Sequence, residues 1–419
     1  MEELSRLSLQ VYIDKVELKT TIQNIIQNRF VEQKLLKING FEVALEEFED
    51  LMIRFNDSSI SYGFISKLNI NSSKVSGIGG KAKVKIELNT QYSINEEWQL
   101  KTKTYLRDHE WIEKPVMKLK ILSIPSTGLL ELLIGAFDDK MGSELDNIIN
   151  KGSDLTKFLK PILDKLKNPL QIERISNFNF NIDPESLKFY MQDDCDKYIK
   201  VKVTSIAGLT GKIKEMESSK IISDLPRINI EDFQIEQSKL LIYSEISHNE
   251  LSKIILKEVP EIDLKGRKVR VENIAIQSDT NRLNFELDLN GSLTGKFCVD
   301  FEPVLHKSIN QLELTDLKFK LESNQFFLKT ASWLFKKEIE KQMNKYSEVD
   351  MAKILNKIKL SINKKLKNEE LYPGLYLTAD ISKIQLNAID LLKNSIALQF
   401  QVDSDFSAQL RLQKSLTQT

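Results

Sequence analysis

The stretch Leu7-Ser8-Leu9-Gln10-Val11-Tyr12-Ile13 decides how the chain begins. Its apolar residues alternate with polar ones, and a period of two is typical of a β-strand with one buried face. The period then changes, because the next apolar residues recur at the spacing of a single helix face. These residues are Ile22, Ile25, Ile26 and Phe30. The stretch therefore predicts a strand followed directly by an amphipathic helix.

The same order of periods returns in the second half of the chain. Leu240 and Ile242 lie at one constant distance in sequence after Val11 and Ile13, respectively. The same offset links every further member of the second set with a member of the first. The second set is Leu240, Ile242, Leu251, Ile254, Ile255 and Val259. Polar residues without strong periodicity, Glu215 to Pro226, lie between the two sets. We therefore predict two related halves, residues 1–222 and 223–419.

Composition narrows the class of protein. Lys+Arg and Asp+Glu both number 60 in this chain of 419 residues, so no bulk charge favours nucleic acid as a partner. Two cysteines, Cys195 and Cys298, and three scattered histidines argue against a disulfide framework or a metal centre. No catalytic motif accompanies the apolar pattern. We therefore expect a protein that is not an enzyme and needs no cofactor.

The beginning of the chain bears on its compartment. Residues Met1-Glu2-Glu3-Leu4 have neither the basic segment nor the apolar segment of a signal peptide. The longest apolar stretch, Leu129 to Phe137, is far shorter than the roughly 20 residues that span a membrane. We expect a cytoplasmic protein, with the periplasm or cell envelope as the alternative if an export signal has been removed.

Each half has the same order of predicted elements: a strand, a helix, several strands, a helix pair and closing strands. Phe285 and Leu287 belong to an alternating strand that ends at the hairpin turn Asn290-Gly291. Antiparallel sheets that pack on amphipathic helices form an α+β fold. The pattern predicts antiparallel sheets wrapped on long amphipathic helices.

Three stretches carry a family resemblance. They are the tryptophan-bounded segment from Trp98 to Pro115, the segment from Asn181 to Ser186, and Leu312 to Leu317 leading to Trp333. The chain resembles a bacterial domain-of-unknown-function family, numbered four-four-zero-three, that is linked to the tubular lipid-binding (TULIP) superfamily. That superfamily includes the bactericidal/permeability-increasing proteins and the SMP lipid-transfer domains. The resemblance implies an elongated TULIP-like tube, in which strongly curved antiparallel sheets wrap around the long helices, and a lipid or other apolar ligand.

The apolar faces agree with that implied ligand. An acyl chain in an apolar tube gains about 0.8 kcal/mol for each buried CH₂ group, and no titratable residue is needed for this. The same faces could instead fill a core, so both interpretations stay open. The residues expected to line the tube are Val11, Ile13, Ile22, Ile25, Ile26, Leu251, Ile254, Ile255, Phe285 and Leu287.

Two further expectations concern partners. A tube closed by its own side chains would make this a structural or assembly protein that acts through its outer surface, although the sequence names no protein partner. Residues 333–366 are rich in lysine, and a basic amphipathic helix can contact an anionic membrane surface. Interspersed acidic residues, such as Glu338 and Asp350, favour a solvated helix face as the alternative.

Overall fold

The structure is a computed structural model. It describes residues 5–412 except 29–35, 39, 57–58, 75–77, 115, 120–121, 126, 152–153, 158–159, 162–169, 173–174, 193–196, 214–225, 259–260, 265–266, 293 and 323–347. The predicted link at Glu215–Pro226 and the predicted helices near 158–166 and 334–346 therefore lie largely outside the described residues.

The chain up to Ile230 contributes twelve strands and two helices to the described structure. In chain order they are β1 (Ser5–Asp14), α1 (Lys15–Ile26), β2 (Leu36–Ile38), β3 (Phe41–Asn56), β4 (Ser59–Ser72), β5 (Ile78–Ile94), β6 (Leu100–Glu113), β7 (Val116–Leu119), β8 (Leu122–Pro125), α2 (Thr127–Lys151), β9 (Leu170–Ile172), β10 (Ile175–Gln192), β11 (Tyr198–Ile213) and β12 (Arg227–Ile230).

The rest of the chain contributes ten strands and two helices to the described structure. They are β13 (Ser238–Ser247), α3 (His248–Glu258), β14 (Glu261–Leu264), β15 (Arg267–Asp279), β16 (Arg282–Gly291), β17 (Gly295–His306), β18 (Gln311–Glu322), β19 (Glu348–Asp350), α4 (Met351–Lys365), β20 (Lys367–Tyr372), β21 (Leu375–Leu392) and β22 (Ser395–Leu410).

These strands form three sheets. Strands β2 to β8 form the N-terminal sheet, and β14 to β19 form the C-terminal sheet. The central sheet takes β1 and β9 to β11 from the first predicted half, and β12, β13 and β20 to β22 from the second. The predicted halves therefore share one sheet, although each also has a sheet of its own.

The balance of helix and sheet differs from the prediction. The chain is mostly curled antiparallel β-sheet with few helices. Among the described helices only α2 is long, with 25 residues, whereas α1, α3 and α4 have 12, 11 and 15. The antiparallel sheets are confirmed, and the long amphipathic helices stay a prediction.

Both stretches that opened the sequence argument form a strand followed directly by a helix. Asp14 caps α1, because its Oδ1 accepts hydrogen bonds from the backbone N–H groups of Val16 at 2.9 Å and Glu17 at 3.1 Å. Ser247 caps α3, with its Oγ accepting from the Glu250 N–H at 3.2 Å. Such caps satisfy N–H groups that have no partner within the helix.

Two buried serines join β1 and β13 by reciprocal hydrogen bonds. The Ser5 hydroxyl donates to the Leu241 carbonyl at 3.1 Å and accepts from the Leu241 N–H at 2.8 Å. The Ser238 hydroxyl donates to the Ser8 carbonyl at 3.0 Å and accepts from the Ser8 N–H at 2.9 Å. Ser238 follows Ser5 at the same distance in sequence as Leu241 follows Ser8. Each of these β1 residues is thus matched with a β13 residue by one shared offset.

This shared offset, which we call the structural offset, differs from the offset seen in the sequence. The same distance in sequence lies between Lys15 at the start of α1 and His248 at the start of α3. The structural offset is four residues longer than the offset seen in the sequence. The structural offset matches Ile22 with Ile255, whereas the sequence offset matches it with Leu251. The two offsets differ by about one helical turn, and positions four apart lie on the same helix face.

The strand pairings on the two sides of β1 and β13 also correspond. Antiparallel β10 and β11 have a bulge between Pro184 and Ser186 of β10. Antiparallel β21 and β22 have a bulge between Ile381 and Lys383 of β21, so in both pairs the earlier strand carries a bulge. In addition, β1 pairs with β22 and β11 with β13, and both pairings are parallel.

Three apolar clusters stabilise the sheets. The N-terminal cluster comprises Val43, Leu45, Leu51, Tyr62, Phe64, Leu68, Ile70, Ala82, Val84, Ile86, Leu88 and Met141. The C-terminal cluster comprises Ile246, Val269, Val271, Ile274, Ile276, Leu283, Leu289, Phe297, Val299, Phe301 and Ile396. The central cluster comprises Ala207, Leu209, Leu240, Ile381 and Val402.

Candidate functional site

The predicted lining residues of the second half lie together. Leu251, Ile254 and Ile255 of α3 all pack against the C-terminal cluster. Phe285 and Leu287 of β16 pack against the same cluster. All five side chains are half-buried. The structure therefore brings five of the ten predicted residues to one apolar surface.

The predicted lining residues of the first half lie elsewhere. Ile22 packs against the N-terminal cluster. Val11 and Ile13 are half-buried on β1, in the central sheet. Ile25 and Ile26 belong to α1, and their side chains lie outside the described residues. The described members of the predicted set are thus distributed over three parts of the molecule.

Sequence reasoning missed part of the surface around the C-terminal cluster. Leu317, Phe319 and Leu321 of β18 pack against the cluster and remain half-buried, as do Ile389 and Leu398 of the central sheet. Their alternation with polar residues was visible in the sequence. Alternation shows only that a strand has an apolar face, and the pairing of β17 with β18 decides that this face meets the same cluster as α3 and β16.

Aromatic side chains give this surface a fixed shape. The rings of Phe285 and Phe301 meet edge to face with centroids 5.3 Å apart and an interplanar angle of 67°. The rings of Phe297 and Phe319 are stacked at 6.1 Å and 11°. Phe285 and Phe319 are half-buried, whereas Phe297 and Phe301 are buried. Each pair thus couples a side chain of the surface to a side chain of the core.

The side chains of the N-terminal cluster are closely packed. Phe64, Val84 and Ile86 are at most 1% exposed, and Met141 of α2 is 0% exposed against them. Among the described residues, eight half-buried apolar side chains surround the twelve buried ones here, whereas thirteen surround the eleven of the C-terminal cluster. Among the described residues, the two clusters therefore differ in how many half-buried apolar side chains adjoin them.

The helix α2 is held against β6 by carboxylates and by a glycine. Asp146 accepts hydrogen bonds from the Thr104 N–H at 3.0 Å and from the Thr102 hydroxyl at 2.8 Å. A Cβ on Gly142 would lie 2.4 Å from the Thr104 carbonyl oxygen. This glycine therefore permits a close approach of helix to strand, which brings Met141 into the N-terminal cluster.

Titratable groups near the C-terminal sheet respond to burial. Desolvation lowers the pKa of His248, while a hydrogen bond with the backbone of Ser395 acts in the opposite direction. The Nε2 of His248 lies 3.3 Å from the Ser278 hydroxyl. Desolvation also raises the pKa of the Cys298 thiol, with the nearby Glu286 acting in the same direction. Both shifts favour the neutral form, which suits an apolar environment.

The described residues form no evident metal site and no membrane-spanning helix. In the part of the chain that the structure describes, no group of three or more His, Cys, Asp or Glu side chains is placed to hold a metal ion. Within the same residues, every helix is too short or too polar to cross a membrane.

Helix α4 has a basic exposed face. Its sequence contains five lysines and no acidic residue. Lys353, Lys357 and Lys364 follow one another at helical spacings of four and seven, and Leu360 lies between the last two. Leu360 is 59% exposed and Ile354 is 43% exposed. The face therefore combines positive charge with exposed apolar side chains.

The described grooves of the molecule lie away from the predicted lining residues. One, of about 350 Å³, lies on β5 and β6 and is lined by Tyr92 and Thr102 among others. Another, of about 320 Å³, lies on the central sheet and is lined by Tyr12 and Tyr376 among others. None of the eight predicted residues whose side chains the structure describes lines either groove. A continuous apolar tube stays a prediction.

The described structure has three sheets, and both predicted halves contribute strands to the central one. Its candidate site consists of apolar side chains. Comparison with family models identifies the family. The model of DUF4403, a domain of unknown function, matches residues 3–410, so the chain belongs to this family and the resemblance seen in the sequence is confirmed.

The chain is also similar to solved structures at low identity. The crystal structure of lipopolysaccharide binding protein matches with 12% identity and a TM-score of 0.28, covering 97% of this chain and 98% of that one. P47 from Clostridium botulinum A2 matches with 11% identity and a TM-score of 0.24, covering 94% and 96%. P47 of Clostridium botulinum E1 matches with 11% identity and a TM-score of 0.23, covering 94% and 98%. The comparison with curated protein sequences gave no match.

Proposed function

We propose that this protein binds a lipid or another apolar molecule, without catalysing a reaction, at the half-buried surface formed by α3, β16 and β18. One observation carries the proposal. Leu251, Ile254, Ile255, Phe285 and Leu287 share this surface, and all five remain partly accessible although they pack on a well-formed core.

The energetics favour an apolar ligand at such a surface. Each square ångström of apolar surface removed from water contributes about 25 cal/mol, so side chains left half-exposed retain part of their burial energy for a ligand. An acyl chain adds its own contribution of about 0.8 kcal/mol for each buried CH₂. The neutral form favoured for His248 is compatible with this environment.

We also propose that the two halves are repeats of one unit. The structural offset is shared by the reciprocal serine contacts, by the caps Asp14 and Ser247, and by the starts of α1 and α3. The pairs β10–β11 and β21–β22 are both antiparallel, and each has a bulge in its earlier strand. Bulges are specific features that are retained within families, so their correspondence supports a common origin.

A third proposal concerns α4. We propose that its basic face contacts an anionic membrane surface, from which an apolar ligand would be collected or to which it would be delivered. Each lysine near such a surface contributes about 1 kcal/mol. The exposed Leu360 and Ile354 lie on or beside that face, where they can enter the interface between headgroups and acyl chains.

The proposed apolar site is tested with two matched tryptophan variants. Ile255→Trp places a large side chain on the proposed surface, and Ile22→Trp places the same side chain at the corresponding position of α1. We expect the purified wild-type protein to contain lipid by extraction and mass spectrometry and to take up a fluorescent fatty acid. We expect Ile255→Trp to reduce uptake by an order of magnitude or more by blocking the surface, with uptake by Ile22→Trp unchanged.

The unfolding midpoint of each variant separates binding from stability. A filled core would instead be overpacked by about 1–3 kcal/mol, so Ile255→Trp would then lower the midpoint. Wild-type protein without bound lipid or fatty-acid uptake, together with a destabilised Ile255→Trp, would contradict the proposal. That result would support the alternative, a structural or assembly protein that acts through its outer surface.

A further inference from the structure

We propose that the polar face of the central sheet contains a binding site for a neutral saccharide, separate from the apolar surface. The site is the groove of about 320 Å³ where β1, β11 and β20 to β22 meet. Its volume lies at the lower end of the range of ligand pockets, about 300–1,000 Å³, and suits a small sugar.

The strand register places aromatic and amide side chains in one row. Tyr12 of β1 faces Gln409 of β22, and Gln409 faces Tyr376 of β21. Neighbouring strands are about 4.8 Å apart, so the backbones of the two tyrosines are about 10 Å apart with the glutamine between them. This row forms the floor of the groove.

The next row supplies hydroxyl groups. Ser407 of β22 faces Thr378 of β21, and both line the groove. The Thr378 hydroxyl accepts a hydrogen bond from the Asn368 N–H at 3.2 Å. Asn368 has a φ of 61° at a bulge of β20, and this irregularity brings the asparagine to the groove. Asparagine tolerates such a left-handed conformation better than most residues.

The tyrosine rings are held in defined positions. Tyr12 and Tyr198 meet edge to face with centroids 5.9 Å apart, and the Tyr12 hydroxyl donates to Gln10 Oε1 at 2.7 Å. The Arg411 guanidinium lies 4.6 Å from the centre of the Tyr376 ring. Rings fixed in advance lose little entropy when a ligand binds.

The chemistry of the lining selects the class of ligand. None of the described lining residues is charged, and they comprise three phenols, two amides, two hydroxyls and one alanine. Amide groups supply both donors and acceptors, and tyrosine supplies an apolar ring with a polar end. A sugar presents C–H faces for the half-buried rings of Tyr12 and Tyr198 and hydroxyl groups for the amides. A lipid would leave the amides unpaired at a cost in free energy.

The experiment is calorimetric titration of the full chain with neutral disaccharides, namely cellobiose, maltose and chitobiose. We expect the wild-type protein to bind at least one of them with a Kd in the millimolar range or lower. Inorganic phosphate and a fatty acid are titrated in parallel, and we expect neither to compete with the sugar.

Variants locate the binding. We expect Tyr12→Ala and Gln409→Ala each to weaken sugar binding by an order of magnitude or more, because each removes a ring or an amide from the floor. Tyr12→Phe keeps the ring and should retain most of the affinity. Tyr243→Ala is the matched control, since Tyr243 is an exposed tyrosine of the central sheet that does not line the groove. Its affinity should equal that of the wild type.

The outcomes are distinct from those of the apolar site. Fatty-acid uptake should be unchanged in Tyr12→Ala. Loss of both sugar binding and fatty-acid uptake, together with a lowered unfolding midpoint, would indicate that Tyr12→Ala damages the fold. In that case the sugar affinities of Gln409→Ala and Tyr12→Phe decide whether the groove binds the sugar. The proposal is overturned by wild-type protein that binds no disaccharide, by equal binding in Gln409→Ala, or by competition from phosphate or the fatty acid.

Discussion

The N-terminal and C-terminal sheets begin in the same way and end with different cores. Each follows a strand of the central sheet and a capped helix, β1 and α1 in one case and β13 and α3 in the other. The N-terminal sheet then receives α2, whose 25 residues contribute the buried Met141 to its apolar face. The described surface around α3 has more half-buried apolar side chains. The difference teaches that one local plan can serve either a filled core or an accessible apolar surface.

The largest expected effect compares a buried phenylalanine of the N-terminal cluster with a half-buried phenylalanine beside the C-terminal cluster. Phe64→Ala removes a side chain that is 1% exposed, and we expect it to lower the free energy of unfolding by about 3–5 kcal/mol. Phe285→Ala removes a half-buried ring, so we expect a loss of about 2 kcal/mol or less. Chemical denaturation measures both. Equal losses would show that the two cores are covered alike and would remove the contrast.

The next effect concerns the contact that closes the N-terminal sheet. Gly142→Ala places a Cβ 2.4 Å from the Thr104 carbonyl oxygen, so α2 must move, and we expect a loss of about 1–3 kcal/mol in stability. Gly135→Ala is the matched control on the same helix, because no atom lies within 4 Å of its Cβ position. Since alanine favours helix by up to about 1 kcal/mol over glycine, Gly135→Ala should be neutral or stabilising. If thermal unfolding ranks the two variants the other way, α2 does not pack as described.

A third prediction tests the correspondence of the halves. Ser5→Ala and Ser238→Ala each remove a hydroxyl that serves one backbone N–H and one carbonyl, and we expect each to cost about 1–2 kcal/mol. Because each hydroxyl makes the same two kinds of backbone hydrogen bond, the losses should agree within about 0.5 kcal/mol. Urea unfolding of the two variants and the double variant measures this. A large loss for one serine and none for the other would contradict the equivalence.

The smallest expected effect separates α4 from the apolar surface. We expect weak binding to anionic vesicles at low salt, lost at high salt because exposed charges are screened. Replacing Lys353, Lys357 and Lys364 by glutamate should abolish this binding, at about 1 kcal/mol for each lysine. Fatty-acid uptake from solution should be unchanged. Co-sedimentation that persists in the triple variant would place the membrane contact elsewhere.

The sequence predicted local structure where periodicity was strong. Alternation in β1, β13 and β16 and the apolar stripes of α1, α2 and α3 correspond to the observed elements. The apolar period of the segment from Phe41 to Phe55 is ambiguous in the sequence. The segment forms most of the strand β3, because pairing with β4 decides between helix and strand there. The offset seen in the sequence differs from the structural offset, because an apolar helix face matches itself after a shift of one turn.

The candidate site was predicted only in part for a related reason. Leu251, Ile254, Ile255, Phe285 and Leu287 do lie together, whereas Ile22 packs on a different sheet and Val11 lies on the central one. A stripe shows that a side chain faces an apolar neighbour and does not identify that neighbour. The groove with Tyr12 and Tyr376 could not be predicted from the sequence either, because those residues lie near opposite ends of the chain.

By itself, the sequence determined which residues face inward, where strand gives way to helix, and that a strand followed by a helix occurs twice. These properties depend on the period of apolar residues and on short-range caps such as Asp14 and Ser247. Only the tertiary structure decided the structural offset, the sharing of one central sheet, the difference between the two cores and the row formed by Tyr12, Gln409 and Tyr376. The physical reason is that strand pairing joins backbone groups distant in sequence, and a one-residue change of register reverses the face on which every side chain lies.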